Sequence, residues 1–248
     1  MASSPSDKRT GLGWPHRIKV LRYHRIVDEK NPDCEHWSCI HVQQFRNQLE
    51  LLERWGYTPI TFEDYRLFLK GDLNLPRKPV VLTFDFACQD NYKYMFPAMQ
   101  KFGAKGVIFA AGNRQIQEPG FQTTEGPLIT DLMSDQALLE MHAAGFEIGS
   151  HGMTYSNLAL VPAAQASEEV SRSRILLEIL LNAPVLSFAY PFGKATKETK
   201  RLVTEAGYTI GCVMESGPRN FTSDLFEVRR IIMKKQTRPA TFLAKLLL

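Results

Sequence analysis

The feature that most constrains the fold is a repeated unit, in which a short apolar run is followed by a longer amphipathic stretch. Runs that are apolar at consecutive positions are typical of parallel strands buried on both faces. The predicted strands are Ile18–Tyr23, Val80–Phe84, Lys105–Ala110, Phe146–Gly149, Val185–Tyr190, Tyr208–Val213 and Val228–Met233. We expect the segments between them to cover the outside of one parallel sheet.

Three of the intervening segments carry clear helix signals. In Val42–Trp55 the apolar residues fall on one stripe, and Gly56 follows as a stop. Ala163–Leu181 has a similar stripe, and Thr196–Ala206 ends at Gly207. About seven strand–helix units, with no linker rich in Gly, Ser or Pro, predict a single α/β domain, a distorted (β/α)7-type barrel.

The barrel is expected to occupy residues 18–248, after a flexible tail of residues 1–17. This tail is polar and lacks the apolar stretch of a signal peptide, which leaves open a cytoplasmic chain or an exported protein expressed without its signal. No apolar run approaches the roughly 20 residues that span a bilayer. The oligomeric state is left open.

The net charge and the number of cysteines limit the classes of molecule that the chain is expected to bind. The formal net charge is +4 and the basic residues are scattered, which disfavours nucleic acid because a phosphate-binding face needs locally dense Lys and Arg. Four cysteines are too few for a disulfide-built scaffold. The stretch from Cys34 to His41 superficially resembles a zinc cluster, but its spacing favours an ordinary loop. A small molecule or a glycan remains the expected ligand.

Polar or aromatic motifs follow several predicted strands directly. An Asp or His in such a place is, taken alone, more often a cap or a core hydrogen bond than a catalytic group. In parallel barrels, however, the chemistry lies at the carboxyl ends of the strands, so several such motifs together predict a composite site. The motifs are Arg22-Tyr23-His24-Arg25, Thr83-Phe84-Asp85-Phe86-Ala87, Gly149-Ser150-His151-Gly152-Met153-Thr154-Tyr155 and Phe188-Ala189-Tyr190-Pro191-Phe192-Gly193.

Taken in this order, the motifs resemble those of the NodB-type polysaccharide deacetylases, carbohydrate esterase family four. The family motif T-F-D-D-G is similar to residues 83–87, H-[ST]-x-x-H to residues 151–155, and a Pro-aromatic turn to residues 190–193. The opening Tyr23-His24-Arg25-Ile26 looks like the branch that deacetylates poly-N-acetylglucosamine. The resemblance covers about residues 18–245. It implies a barrel whose family hydrolyses the N-acetyl groups of amino-sugar polymers with zinc or another divalent metal.

The resemblance implies roles for individual residues. Asp85 matches the family's general base, His24 the general acid of the branch, and His151 the first histidine ligand of the metal. Phe86 stands where a second aspartate would bind the metal, and Tyr155 stands where the second histidine would. Because two of three expected ligands are replaced, we expect no tight metal site, no bound cofactor, and native deacetylation that is very low or absent.

These departures predict a changed pocket. Without a dication, and beside the apolar Phe86, the Asp85 carboxyl is expected to have a raised pKa. Arg22 shares a strand face with His24 and is expected to face the pocket. One of the neighbours Arg229 and Arg230 is a candidate partner for a barrel carboxylate. The predicted substrate pocket consists of Phe86, Tyr155, Arg22, Tyr190, Pro191 and Phe192.

Three functions are compatible with this pocket. In the first, the site has been redesigned or repurposed around Asp85 as a metal-free general base for an aromatic substrate, with His24 or Arg22 stabilising the developing negative charge. In the second, the chain is a natural non-catalytic relative that binds glycans through an aromatic-lined groove. In the third, Phe86 and Tyr155 merely fill the vacated metal site of an inert or residually hydrolytic barrel.

Overall fold

The computed structural model describes residues 18–31, 37–113, 122–123, 126–127, 131–214, 220–221 and 224–247. The strands are β1 Lys19–Tyr23, β2 Arg25–Val27, β3 Cys39–His41, β4 Thr58–Ile60, β5 Pro79–Asp85, β6 Val107–Ala110, β7 Gln122–Thr123, β8 Gly126–Pro127, β9 Glu147–Ser150, β10 Ser187–Ala189, β11 Ile210–Cys212 and β12 Ile231–Ile232. The helices are α1 Val42–Arg54, α2 Phe62–Lys70, α3 Phe96–Lys101, α4 Asp135–Ala143, α5 Ala163–Leu181, α6 Lys197–Glu205 and α7 Pro239–Leu247.

The main sheet is parallel throughout and has the spatial order β11-β10-β9-β6-β5-β1-β12, with β4 paired to β5. Its two end strands approach each other through Val228, whose N–H donates to Gly211 O at 2.8 Å and whose carbonyl accepts from Val213 N at 2.9 Å. The sheet therefore curls into a distorted β/α barrel. The predicted fold class and the single domain are confirmed.

Strand alternation determines which side chains enter the barrel. Val20 and Val81 belong to the cluster that fills the interior, whereas Leu21 and Leu82 pack under the helices. Because successive side chains of a strand point to opposite faces, Arg22 and Asp85 have the parity of the interior positions. The polar residues at the strand ends thus meet inside the barrel mouth.

The predicted elements match the structure with shifted boundaries. Ala163–Leu181 is found as predicted, and the other two predicted helices are shorter by one residue at one or both ends. The predicted strand Val228–Met233 is broken into a single bridge at Val228 and the short β12. Strands β2, β3, β4, β7 and β8 and helices α2, α3, α4 and α7 were not predicted. The weakest prediction was thus the strand that closes the barrel.

Residues 1–17 lie outside the described residues, so the flexible tail stays a prediction. Cys39 is disulfide-bonded, so its sulfur is not the free thiolate that a zinc cluster would require. Within the described ranges, no helix combines the length and the apolar character needed to cross a membrane.

Candidate functional site

Asp85, the last residue of β5, is completely buried between two arginines. Arg22 Nε donates to Asp85 Oδ2 at 2.6 Å. Arg230 Nη1 donates to Oδ1 at 2.6 Å, and its Nη2 donates to Oδ2 at 3.2 Å. Strand β1 lies between β5 and β12, which brings Arg22 and the residue that precedes β12 to the same carboxylate. Arg22 thus faces Asp85, and of the two neighbours Arg229 and Arg230 it is Arg230 that meets this carboxylate.

These ion pairs reverse the predicted pKa shift of Asp85. Burial alone raises the pKa of the carboxyl, but the charges of Arg230 and Arg22 outweigh it and hold the pKa well below its usual range. The prediction of a raised pKa was wrong because it counted the lost dication and the apolar neighbour Phe86, and neither guanidinium. Asp85 is therefore a stable carboxylate and a weak base.

His24 follows β1 and is buried beside Arg22. Since a guanidinium can only donate, the 2.8 Å contact from Arg22 Nη2 assigns the His24 Nε2 as an acceptor and places the ring proton on Nδ1. Burial and the neighbouring charge of Arg22 lower the pKa of His24 well below its usual range. A neutral His24 is therefore expected at pH 7, with an N–H that has no hydrogen-bond partner among the described residues.

His151 follows β9 and carries its proton on the opposite side. Its Nδ1 donates to the carbonyl of Ala189 at 2.7 Å, which leaves a lone pair on Nε2. This Nε2 is buried and has no hydrogen-bond partner in the described part of the chain. Burial lowers the pKa of His151 to about 4. The imidazole ring lies among aromatic rings, because its centroid is 5.2 Å from that of Phe86 and 4.6 Å from that of Tyr155.

Five aromatic rings form a continuous row across the site, which we call the aromatic row: Trp37, His24, Phe86, Tyr155 and Phe192. Successive ring centroids are 5.7, 5.6, 4.4 and 5.0 Å apart. The three inner rings are buried, whereas the two at the ends, Trp37 and Phe192, are partly exposed. Trp37 was missed in the sequence, where it stands in a loop without a strand-end signal.

The backbone around the row adopts left-handed conformations that side chains rarely take. The φ angles are 74° at Phe86, 48° at Ala87, 62° at Tyr155 and 58° at Phe192. Each such residue costs roughly 1–2 kcal/mol relative to a right-handed conformation. The first of these turns contains Ala87, where the family motif has glycine. Three of the four residues supply rings of the row, so packing among the rings helps to offset the backbone cost.

Glu169 of α5 holds the turn that carries His151 and Tyr155. Its Oε2 accepts hydrogen bonds from the backbone N–H groups of Met153 at 2.9 Å and Thr154 at 2.8 Å. This residue was not predicted. The available signal was an acidic residue next to Val170 on the buried stripe of a predicted helix, since a buried carboxylate needs hydrogen-bond donors.

Tyr190 and Pro191 lie differently from the predicted pocket. Tyr190 belongs to the main core, where its ring centroid is 5.4 Å from that of Phe188. It has the strand parity of Phe188 rather than that of Ala189, so it points away from the barrel interior. Its placement in the pocket is thereby corrected. Pro191 lies beside the His151 turn and leads the chain to Phe192.

The residues present do not fit a divalent cation. Phe86 has no donor atom, and burial raises the pKa of Tyr155 to about 12, which disfavours a tyrosinate ligand. Both carboxylate oxygens of Asp85 are engaged by arginines, and the charges of Arg22, Arg230 and Asp85 sum to +1. Among the described residues, no group of three His, Cys, Asp or Glu side chains is arranged to hold a metal. A stable catalytic zinc generally needs three protein ligands.

Comparison with known proteins gives a consistent result. The sequence matches the family model described as "Polysaccharide deacetylase" over residues 72–211. YxkH of Bacillus subtilis (strain 168), provisionally named a polysaccharide deacetylase, is 24% identical over 217 residues, which are 88% of this chain and 71% of that protein. The poly-beta-1,6-N-acetyl-D-glucosamine N-deacetylase of Escherichia coli O157:H7 is 31% identical over 113 residues, which are 44% of this chain and 16% of that protein.

Among solved structures, the Streptococcus pyogenes deacetylase PplD in complex with acetate has a TM-score of 0.78 at 22% sequence identity. The match covers 94% of this chain and 99% of that chain. At this identity the likeness shows the barrel fold alone.

Proposed function

Because the chain belongs to the polysaccharide deacetylase family, as its strand-end motifs predicted, we propose that it binds an amino-sugar polymer without hydrolysing it. The aromatic row at the barrel mouth is the binding surface, and the buried centre beneath it is structural. The row carries this proposal, because two of its rings, those of Phe86 and Tyr155, stand at positions from which the family's motifs would supply metal ligands. This is the non-catalytic alternative among the functions considered from the sequence.

Loss of hydrolysis follows from the charge of the buried centre. Hydrolysis of an acetamide in this family requires a dication that activates water and polarises the acetyl carbonyl. Arg22 and Arg230 give the centre a net positive charge, which repels a divalent metal ion. His151 is the single residue that matches a ligand position and retains a donor lone pair. Native deacetylation is therefore expected to be very low or absent.

The general-base alternative has weaker support. Asp85 is fully buried, its pKa is lowered, and each of its oxygens accepts hydrogen bonds from arginine. Guanidinium N–H groups occupy three of the about four lone-pair sites of this carboxylate, which leaves little of it to accept a proton from a substrate. An effective general base has a pKa near the working pH, and two adjacent cations shift the pKa in the opposite direction.

Glycan binding is supported by the ends of the row. The rings of Trp37 and Phe192 are partly exposed at the two ends of the row, beyond the buried His24, Phe86 and Tyr155, and Lys234 Nζ lies 5.3 Å from the centroid of the Trp37 ring. Pyranose rings carry apolar C–H faces that pack on aromatic rings, whereas their hydroxyls remain in water. The polymer class comes from the Escherichia coli relative, whose name specifies poly-beta-1,6-N-acetyl-D-glucosamine.

The test is binding of acetylated β-1,6-linked glucosamine oligomers by isothermal titration calorimetry, together with an assay for released acetate. The wild-type chain is expected to bind and to release no acetate. Trp37→Ala and Phe192→Ala should each weaken binding about tenfold, the usual effect of removing an interface aromatic residue. Tyr57→Ala is the matched control, because Tyr57 is also partly exposed but packs near α7. Stoichiometric zinc with rapid acetate release, or no oligomer binding, would overturn the proposal.

A further inference from the structure

A second concave site lies where the strands begin, at the opposite end of the barrel from Asp85. It is a cavity of about 460 Å³ between the start of β9, the first turn of α2 and the end of α5. Leu181, Ala183 and Leu186 contribute an apolar wall, and Glu147 contributes a carboxylate. A cavity of this size, apolar with a few polar groups, is typical of sites for small organic molecules.

Glu147, the first residue of β9, is oriented by two hydrogen bonds. Its Oε1 accepts from Ser187 Oγ at 2.6 Å, and its Oε2 accepts from the backbone N–H of Glu63 at 2.9 Å. Within the described ranges it forms no ion pair with a Lys, Arg or His side chain. Burial raises the pKa of Glu147 to about 7, against the lowering effect of both hydrogen bonds. The carboxylate is therefore fixed in place without a direct ion pair, and Arg66, which is paired with Glu63, interacts with it only at longer range.

The cations around the cavity are already paired with other carboxylates. Lys105 Nζ lies 2.8 Å from Asp64 Oδ1, and Arg66 Nε donates to Glu63 at 2.6 Å. Among the Lys, Arg, Asp and Glu side chains of the wall, two cations face three carboxylates, which gives a net charge of −1. The charged wall residues are Arg66, Lys105, Glu63, Asp64 and Glu147. The unbalanced charge is that of Glu147.

We propose that this cavity binds an organic monoamine, whose ammonium group pairs with Glu147 and whose apolar body packs against Leu181, Ala183 and Leu186. An ammonium supplies the missing counter-ion and donates charge-assisted hydrogen bonds to the lone pairs that Ser187 and the Glu63 amide leave free. The site is independent of the aromatic row, so it holds whether or not the chain binds a glycan.

Benzylamine is a suitable probe, and benzyl alcohol is its uncharged analogue. Backbone amide shifts in NMR spectra of the full chain at pH 8 should saturate with a Kd of about 1 mM or tighter. The largest shifts are expected at Glu63, Glu147 and Ala183. Benzyl alcohol should bind at least about tenfold more weakly, because it cannot form the ion pair.

Two variants separate the carboxylate from the cavity. Glu147→Gln keeps the shape of the side chain and should weaken benzylamine binding about tenfold. Glu140→Gln removes an exposed carboxylate of α4 outside the cavity and should leave the Kd unchanged. The folding of both is checked by thermal denaturation. The amide shifts of the wild-type chain measure benzylamine binding directly and do not depend on the folding of either variant.

The pH dependence gives a further reading. Benzylamine stays protonated between pH 6 and 8, because alkylamines ionise near pH 10, as Lys does. A carboxyl with a pKa of about 7 loses roughly tenfold of its ionised fraction from pH 8 to pH 6. The affinity for benzylamine should fall by the same factor. His142 is another titratable residue of the cavity wall, so the same fall in His142→Gln would assign the pH dependence to Glu147. Overturning results are no saturation up to about 20 mM, equal affinity for benzyl alcohol, or unchanged affinity in Glu147→Gln.

Discussion

Replacing Asp85 by asparagine tests whether the buried carboxylate stabilises the fold as an ion-pair partner or acts as a catalytic base. In the folded chain the carboxylate accepts three hydrogen bonds from two guanidinium groups, at 2.6, 2.6 and 3.2 Å. Asparagine keeps one acceptor oxygen, and its NH₂ group faces a donor. Arg22 and Arg230 would then be two cations in a buried site without a counter-ion. Asp85→Asn should therefore lower the stability of the fold strongly.

The expected magnitude follows from the burial of both partners. Removing one member of a buried ion pair typically costs about 3–5 kcal/mol, because the remaining charge is left desolvated and unpaired. In a domain of this size that corresponds to a fall in Tm of roughly 6–20 °C. Asp90→Asn is the matched control. Asp90 also accepts two hydrogen bonds from one guanidinium, that of Arg25, but its side chain is 21% exposed, so a loss of at most about 1 kcal/mol is expected.

Urea denaturation followed by circular dichroism measures both variants at pH 7. The folded pKa of Asp85 is lowered, so its stabilising contribution is full above the unfolded pKa of about 3.9 and is lost as pH falls through the folded value. The difference between wild type and Asp85→Asn should accordingly shrink on acidification below about pH 4. The triple replacement Arg22→Met, Asp85→Leu, Arg230→Met should be less destabilising than Asp85→Asn alone. Equal stability losses for Asp85→Asn and Asp90→Asn would refute the reasoning.

Three further predictions concern other groups. Phe86→Asp with Tyr155→His should create a site for one zinc ion per chain, measurable by elemental analysis, since His151 Nε2 already offers a lone pair and the introduced carboxylate cancels the net charge of +1 that Arg22, Arg230 and Asp85 give the centre. Glu169→Ala leaves the amides of the His151 turn without their acceptor and should cost about 1–3 kcal/mol in urea denaturation, whereas Glu168→Ala, on the exposed side of α5, should cost less than about 0.5 kcal/mol. Glu147→Gln should stabilise the fold by about 1–3 kcal/mol at pH 8 and hardly at pH 4, because a folded pKa of about 7 means that the wild-type chain loses stability as pH rises from about 4.3 to 7.

The sequence predicted which residues meet, because that depends on a general property of parallel sheets. Asp85, His151 and Phe192 each follow a different strand, and the carboxyl ends of parallel strands lie at one end of a barrel. The consecutive apolar residues of the runs were enough to identify a buried parallel sheet. To predict that these residues lie in one site, it was therefore enough to know the direction of the strands.

The electrostatics of the site could not be predicted in the same way. Arg230 reaches Asp85 from 145 residues away, and it does so because β12 pairs with β1 and β1 pairs with β5. The strand order where the barrel closes depends on β11 and β12, which are short and have weak sequence signals. The position of Tyr190 was misjudged for a related reason. A run buried on both faces hides the alternation that distinguishes Tyr190 from Ala189.

The aromatic row and the two arginines together account for the charge balance at Asp85. A buried carboxylate needs a counter-charge, which the family's metal would supply from the positions occupied here by Phe86 and Tyr155. With rings at those positions, Asp85 stays ionised only if guanidinium groups reach it, and Arg22 and Arg230 do so from the two directions that β1 and β12 provide. The same arginines make the centre positive and lower the pKa of Asp85, so they oppose the return of a metal and disfavour proton abstraction at once. Stability of the carboxylate without a metal is thus gained at the expense of both the family's metal-dependent hydrolysis and proton abstraction by Asp85.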